Sequence, residues 1–195
     1  MLKKPIVAIL VAGLTGCSGY NPLEDYDARM PTTVHNVSVV ASDYPAAMVE
    51  QGRYLAELLA CGTCHTDGAL VGDIDPARQF AGSRVGIAYS NPFEEKNPGV
   101  LYPANITPDR ETGIGAWQDE QLVRVIRTGV NAHGERQLPV MPWPGYAKIK
   151  DADAKALVAF LRSLKPIRHQ VPANVLPGEK AEYPFVHFGA YQSKR

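Results

Sequence analysis

The stretch LLACGTCHTDG, residues 58–68, constrains this chain more than any other. It places Cys61 and Cys64 three residues apart with His65 directly behind. Three chemistries use that spacing: a redox dithiol, half of a zinc site, or covalent attachment of a c-type haem. A structural zinc site takes four protein ligands, commonly a second cysteine pair or two histidines. The only other cysteine is Cys17, and His35, His133, His169 and His187 are scattered. A thioredoxin-like dithiol stands after a strand, at the start of a helix. Here the pair follows AAMVEQGRYLAELLA, in which Ala47, Tyr54, Leu55, Leu58 and Leu59 share one stripe at helical spacing. A helix is expected over 46–65, delivering Cys61 from its last turn. Haem needs two thioether sulfurs, a proximal histidine and a distal ligand, and CxxCH supplies the first three in five residues. The motif therefore predicts one covalent haem c, on Cys61 and Cys64, with His65 as an axial iron ligand.

The distal ligand is expected far along the chain, and QLPVMPWPGY is the best segment for it. Pro139, Pro142 and Pro144 stiffen the backbone and prevent helix formation, so Met141 is held at a fixed orientation. Filling a core gap is the ordinary role of a methionine, and His133 is the rival ligand. Met30 lies in a linker, and Met48 sits too close to the haem-binding turn. Iron bound by both His65 and Met141 has no open position, which predicts single-electron transfer and no catalytic residue. The competing class, a sensory or catalytic haem protein, requires Met141 to be displaceable.

The N-terminus addresses the chain to a compartment. Lys3 and Lys4 precede the apolar run PIVAILVAGL, which has the size of a signal-peptide core and is too short for a permanent membrane span. Small residues in LTGC lead to Cys17, a pattern that resembles a bacterial lipobox and implies lipidation of Cys17. With Cys17 so used, Cys61 and Cys64 are the only remaining thiols, and a disulfide between cysteines this close would constrain little chain. Removing Lys3 and Lys4 leaves 18 basic against 20 acidic side chains, and no basic patch suggests nucleic acid. The expected divisions are a signal peptide at 1–16, a lipidated tether at 17–45, a haem domain at 46–167 and an extended tail at 168–195.

Two further helices are expected, in WQDEQLVRVIRTGV and in DADAKALVAFLRSLKP. In the first, Leu122, Val123 and Ile126 make the apolar face and Gly129 the stop; in the second, Asp151 or Asp153 is the cap, and Leu157, Phe160, Leu161 and Leu164 make the stripe. Between Asp67 and Gly115 the chain reads as irregular, with Phe80, Ile87, Tyr89, Leu101, Tyr102 and Ile106 ready to wrap an apolar group. In YPANITPD, Tyr102, Asn105 and Thr107 would hydrogen-bond haem propionates, aided by the indole of Trp143 or Trp117; shaping a rigid turn is the alternative use of Asn105 and Thr107.

These motifs together resemble class I c-type cytochromes, and more narrowly the cytochrome domains of bacterial membrane-bound dehydrogenases for alcohols, sugar acids and aldehydes. The resemblance is carried by ACGTCHT, FAGS, NITPDRETGIGAWQDEQLVRVIRTGV and LPVMPWPGYAKIKDADAKALVAFLRSLKP, over about residues 47 to 175. It implies an all-α, class I cytochrome c fold whose first and last helices cross near Gly52 and Tyr54 against Phe160 and Leu161. The chain departs from those subunits in having one haem motif where they typically carry three, and in the inserted loop SNPFEEKNPGV. The implied role is a membrane-anchored electron carrier facing the periplasm, between a dehydrogenase donor and an oxidase or cytochrome acceptor. A tightly bound subunit of one dehydrogenase is the variant of that role, and Tyr183, Phe185, Phe188 and Tyr191 in the tail suit either a docking surface or an intramolecular strap.

Overall fold

The computed structural model describes residues 26–189 and 192–193. The signal segment, Cys17, the first part of the expected tether and Tyr191 lie outside the described residues. The helices are α1 (Ala46–Leu58), α2 (Cys61–His65), α3 (Asp119–Thr128), α4 (Trp143–Tyr146) and α5 (Asp151–Ser163). The strands are β1 (Gly86–Ala88), β2 (Val100–Leu101) and β3 (Phe185–His187). No described helix is long and apolar enough to cross a membrane.

Helix α5 is buried almost all round, from Ala154 through Leu161, because its AxALVAFL run carries apolar residues on every side. Its cap differs from the expectation: Lys150 occupies the N-cap position without a side-chain bond, and Asp151 and Asp153 fall in the first turn, where they favour the positive end of the helix dipole. α1 packs on it through Val49, Gly52 and Ala56. A Cβ on Gly52 would stand 1.9 Å from the Ala156 carbonyl oxygen and 2.7 Å from Phe160 Cβ, so the glycine lets the two helices meet backbone to backbone. The crossing at Gly52 and Phe160 is as expected. Tyr54 takes no part, since it and Leu58 are 58% and 63% exposed. Of the expected stripe, Leu55 and Leu59 pack against the core, while Ala47, Tyr54 and Leu58 are exposed.

α3 is joined to this pair by Arg162, whose guanidinium donates to Asp119 Oδ1 at 3.0 Å, to Ile114 O at 2.9 Å and to the carbonyl of Trp117. Leu122 and Ile126 bury its inner face, and Gly129 ends it at φ 68°. The helix predicted over 46–65 breaks instead at Ala60, whose φ of 53° lies in the left-handed region, and α2 begins anew.

The fold is not purely helical. β1 pairs antiparallel with β2 and parallel with β3, so the C-terminal tail closes a three-stranded sheet. Tyr102 Oη donates to Tyr183 O at 3.1 Å, and Val100 and Val175 exchange backbone bonds of 2.9 and 2.8 Å. In the described residues, the tail is an intramolecular strap. The N-terminal approach is docked too: Val34 and Val37 are buried, Thr32 N donates to Ala69 O, and Val40 N to Ser163 O.

The loop from Pro103 to Thr107 is held from two sides. Ser83 N donates to Pro103 O, and Ile106 N donates to Phe80 O. On the other side Asn105, 3% exposed, donates through Nδ2 to Thr112 Oγ1 at 3.0 Å and to Ile167 O at 2.8 Å. Its Oδ1 accepts from Thr107 N at 2.9 Å and Thr107 Oγ1 at 2.8 Å.

Two outcomes follow. Gly52→Ala forces the helices apart and is expected to lower stability by roughly 1–3 kcal/mol, read from the midpoint of denaturant unfolding. Asn105→Val leaves buried donors and acceptors unsatisfied and is expected to cost about 1–3 kcal/mol in the same measurement. An unaltered unfolding midpoint would remove either residue from the account.

Candidate functional site: a ligand cleft built on CxxCH

The left-handed residue Ala60 turns the chain so that α2 leaves the line of α1. Gly62 then fits where a Cβ would be 2.7 Å from Val34 Cβ and 3.2 Å from the Phe80 ring, which seats the motif against the core. His65 Nδ1 lies 2.7 Å from Ala104 O. A carbonyl can only accept, so Nδ1 carries the proton and Nε2 keeps its lone pair for a metal. Burial pushes the imidazole below its ordinary pKa, partly offset by the Ala104 bond, which keeps the ring neutral. The carbonyl is aimed by the same two-sided clamp that holds Asn105.

His65 opens on a cleft enclosing about 830 Å³ of atom-free space, its mouth included. Cys61 and Leu59 come from the α1–α2 junction; Ala104, Ile106, Ile114 and Trp117 from the long loop; Leu122, Val125 and Ile126 from α3; and Leu157 and Leu161 from α5. Gln137, Met141 and Tyr146 close it from the α3–α5 connection. Cys64 lies at a second apolar cluster of Leu70, Val85 and Ile87, which Val140 also joins.

The donor set fits haem c. One neutral imidazole and one thioether open into the same cleft, with Cys61 beside them, and the rest of the lining is almost wholly apolar. The other readings of CxxCH lose ground. Burial, then the neighbouring Cys64, pushes the Cys61 thiol up to about 12, and burial raises Cys64 as well. A redox dithiol needs the opposite, a stabilised thiolate. Among the described residues no three His, Cys, Asp or Glu side chains converge to hold a metal ion. Next to the motif, buried Asp67 is held below the usual carboxylate range: burial alone would raise it, but the Arg84 backbone and guanidinium, at 2.8 and 2.7 Å, and Arg78 at 2.9 Å outweigh that effect.

Of the remaining expected residues, Met141 reaches the cleft and the four proposed propionate partners do not. Tyr102 bonds Tyr183 O, Asn105 and Thr107 bond each other and the tail, and Trp143 Nε1 donates to Gln137 O at 3.3 Å. Their polar groups are engaged in holding loops, so the turn-shaping use of Asn105 and Thr107 is the one the structure displays. Trp117, the alternative indole, does line the cleft. His133 is exposed, edge-on to Trp117 at 6.5 Å; Met30 is exposed; and Met48 packs in the helical core. Sequence reasoning missed Tyr146, five residues beyond Met141 at the end of α4, and the Ala104 carbonyl, a backbone group that has no signature of its own.

No family model matches the chain. Over 131 residues it is 39% identical to one of the subunits of nicotinate dehydrogenase from Pseudomonas putida, a match that takes in 67% of this chain and 10% of that protein. It is 35% identical over 132 residues to the cytochrome c subunit of the quinone alcohol dehydrogenase of Gluconobacter oxydans, 67% of this chain and 24% of that one. With the fructose dehydrogenase cytochrome subunit of Gluconobacter japonicus it shares 29% identity over 175 residues, 89% of this chain and 31% of the relative. The chain thus spans under a third of the length of these relatives. Over the matched residues the chain is similar to cytochrome c subunits of bacterial dehydrogenases, and its fold gathers His65, Met141 and Cys61 at one apolar cleft.

Proposed function

We propose that the chain is a lipid-anchored, monohaem electron carrier on the periplasmic side of a bacterial membrane, passing single electrons from an oxidoreductase to a respiratory acceptor. The observation that carries this reading is that His65 and Met141, from opposite ends of the domain, open on the same cleft as Cys61. Bound there, haem c would supply reversible one-electron iron chemistry. Cys61 and Cys64 would hold the group through thioethers, and His65 Nε2 and the Met141 sulfur would bind its iron, so that the protein itself supplies the iron's ligands. A thioether ligand in place of a second imidazole raises the reduction potential. The apolar walls of Ile106, Leu122, Leu157 and Leu161 disfavour additional positive charge and exclude water, with the same effect. The anchor is supported by the LTGC motif at Cys17. A second reading, a resident subunit of one dehydrogenase, is favoured by the names of the relatives.

The haem is expected to stay with the polypeptide through acid–acetone extraction; its release would reject covalent attachment. Met141→Ala should abolish the weak long-wavelength band of ferric iron bound to methionine sulfur and lower the potential, whereas Met30→Ala, Met48→Ala and His133→Ala should not. Loss of that band in His133→Ala alone would transfer the ligand role to His133. Cys17→Ser should release a soluble haem protein with an unchanged spectrum, and a mature N-terminus without lipid in the parent would remove the anchor.

A further inference from the structure

The connection between α3 and α5 carries Met141 yet contains little regular structure, only the four residues of α4. A ligand on such a segment must be fixed by something other than a helix or sheet. The backbone before it is held as far as Gln137, whose N donates to Gly129 O at 2.8 Å beside the Val130–Arg136 pair, with Asn131 N donating to Glu135 O at 2.9 Å. From there to Met141 the chain would be free to swing. Trp143 prevents it. Its indole lies flat on Gly129, where a Cβ would stand 2.6 Å from Nε1 and 2.7 Å from Cε2. Gly129 is thus required for its φ of 68° and again for its lack of a side chain. Nε1 donates to Gln137 O at 3.3 Å. Arg136 sits over the ring at 5.3 Å and is itself fixed by a bond from Nη1 to Thr128 O at 3.1 Å. The ring therefore ties the far side of Met141 back to the end of α3. Trp143 N also donates to Met141 O at 2.7 Å, closing a tight turn at the ligand residue. On the near side, Val140 packs with Leu70, Val85 and Ile87.

We propose that Trp143 is a positioning residue for Met141: it does not line the cleft, and it holds the Met141 backbone in place before any ligand bond forms. The proposal rests on the reading of Met141 as an axial ligand. Its physical content is preorganisation. A segment already ordered loses little conformational freedom when its side chain binds, and a loose one loses more. Loosening the loop therefore weakens Met141 against any competing ligand, with the remainder of the cleft unaltered.

Competition with added imidazole measures this in the ferric holoprotein. Trp143→Leu removes the ring from Gly129 and from Arg136, and imidazole should then bind about tenfold more tightly, equivalent to ~1.4 kcal/mol. Trp143→Phe keeps a ring in both places and loses only the long Nε1 bond, so it should stay within about threefold of the parent. Arg136→Gln, an exposed substitution that carries the test if Trp143→Leu does not accumulate, should give a gain of about threefold. Met141→Ala sets the upper limit. If imidazole affinity in Trp143→Leu, or in Arg136→Gln where that variant stands in, equals the parent's while Met141→Ala raises it strongly, the positioning role is overturned and the ligand reading survives. If Met141→Ala itself leaves imidazole affinity unchanged, the ligand reading falls and the proposal with it.

Discussion

The structure depends first on how near α1 and α5 are able to come. Gly52 admits the Ala156 carbonyl to a position that any side chain would contest. With the helices in backbone contact, α5 is buried over most of its surface and can present Leu157 and Leu161 to the cleft on one side and Phe160 to Phe80 on another. Phe80 in turn is one of the walls against which Gly62 seats the CxxCH turn. A single missing methyl group thus sets the distance between α1, which leads into the CxxCH turn, and α5, which walls the cleft.

The proximal histidine shows how stability and chemistry share one set of bonds. The carbonyl that orients its ring belongs to Ala104, whose neighbours are tied to the Phe80–Ser83 segment on one side and to Thr112 and Ile167 on the other. Each of those bonds also satisfies a buried polar atom that would otherwise be costly. The arrangement that keeps the loop from unfolding is therefore the one that keeps Nε2 pointed into the cleft.

Much of this could be read from the chain before any coordinates. The CxxCH motif and the three long helices come from local spacing, and the crossing at Gly52 from the resemblance to class I cytochromes. The break at Ala60 could not, because the apolar periodicity of LAELLA runs on through it, and only the packing of Gly62 on Val34 and Phe80 demands the left-handed residue. The sheet escaped for a related reason. GIA and FVH are three residues long, too short to show alternation, and they pair across nearly the whole domain. Tyr102, Asn105, Thr107 and Trp143 were recognisable as residues that must bond something buried. Their partners, however, are backbone carbonyls of remote segments and one another, and no pattern in the sequence marks those.

The docking of residues 32 to 40 changes the scale of any attachment at Cys17. Were the chain free up to α1, the domain could roam far from a membrane surface. Instead the N-terminal approach is already committed to the fold, and Tyr26 lies between the rings of Phe93 and Phe185, with centroids at 6.3 and 6.2 Å. Cys17 stands nine positions before Tyr26, and nine steps of backbone reach no more than about 30 Å. That is on the order of one diameter of a small domain. The lipid proposed for Cys17 would therefore keep the domain within about one diameter of its point of attachment.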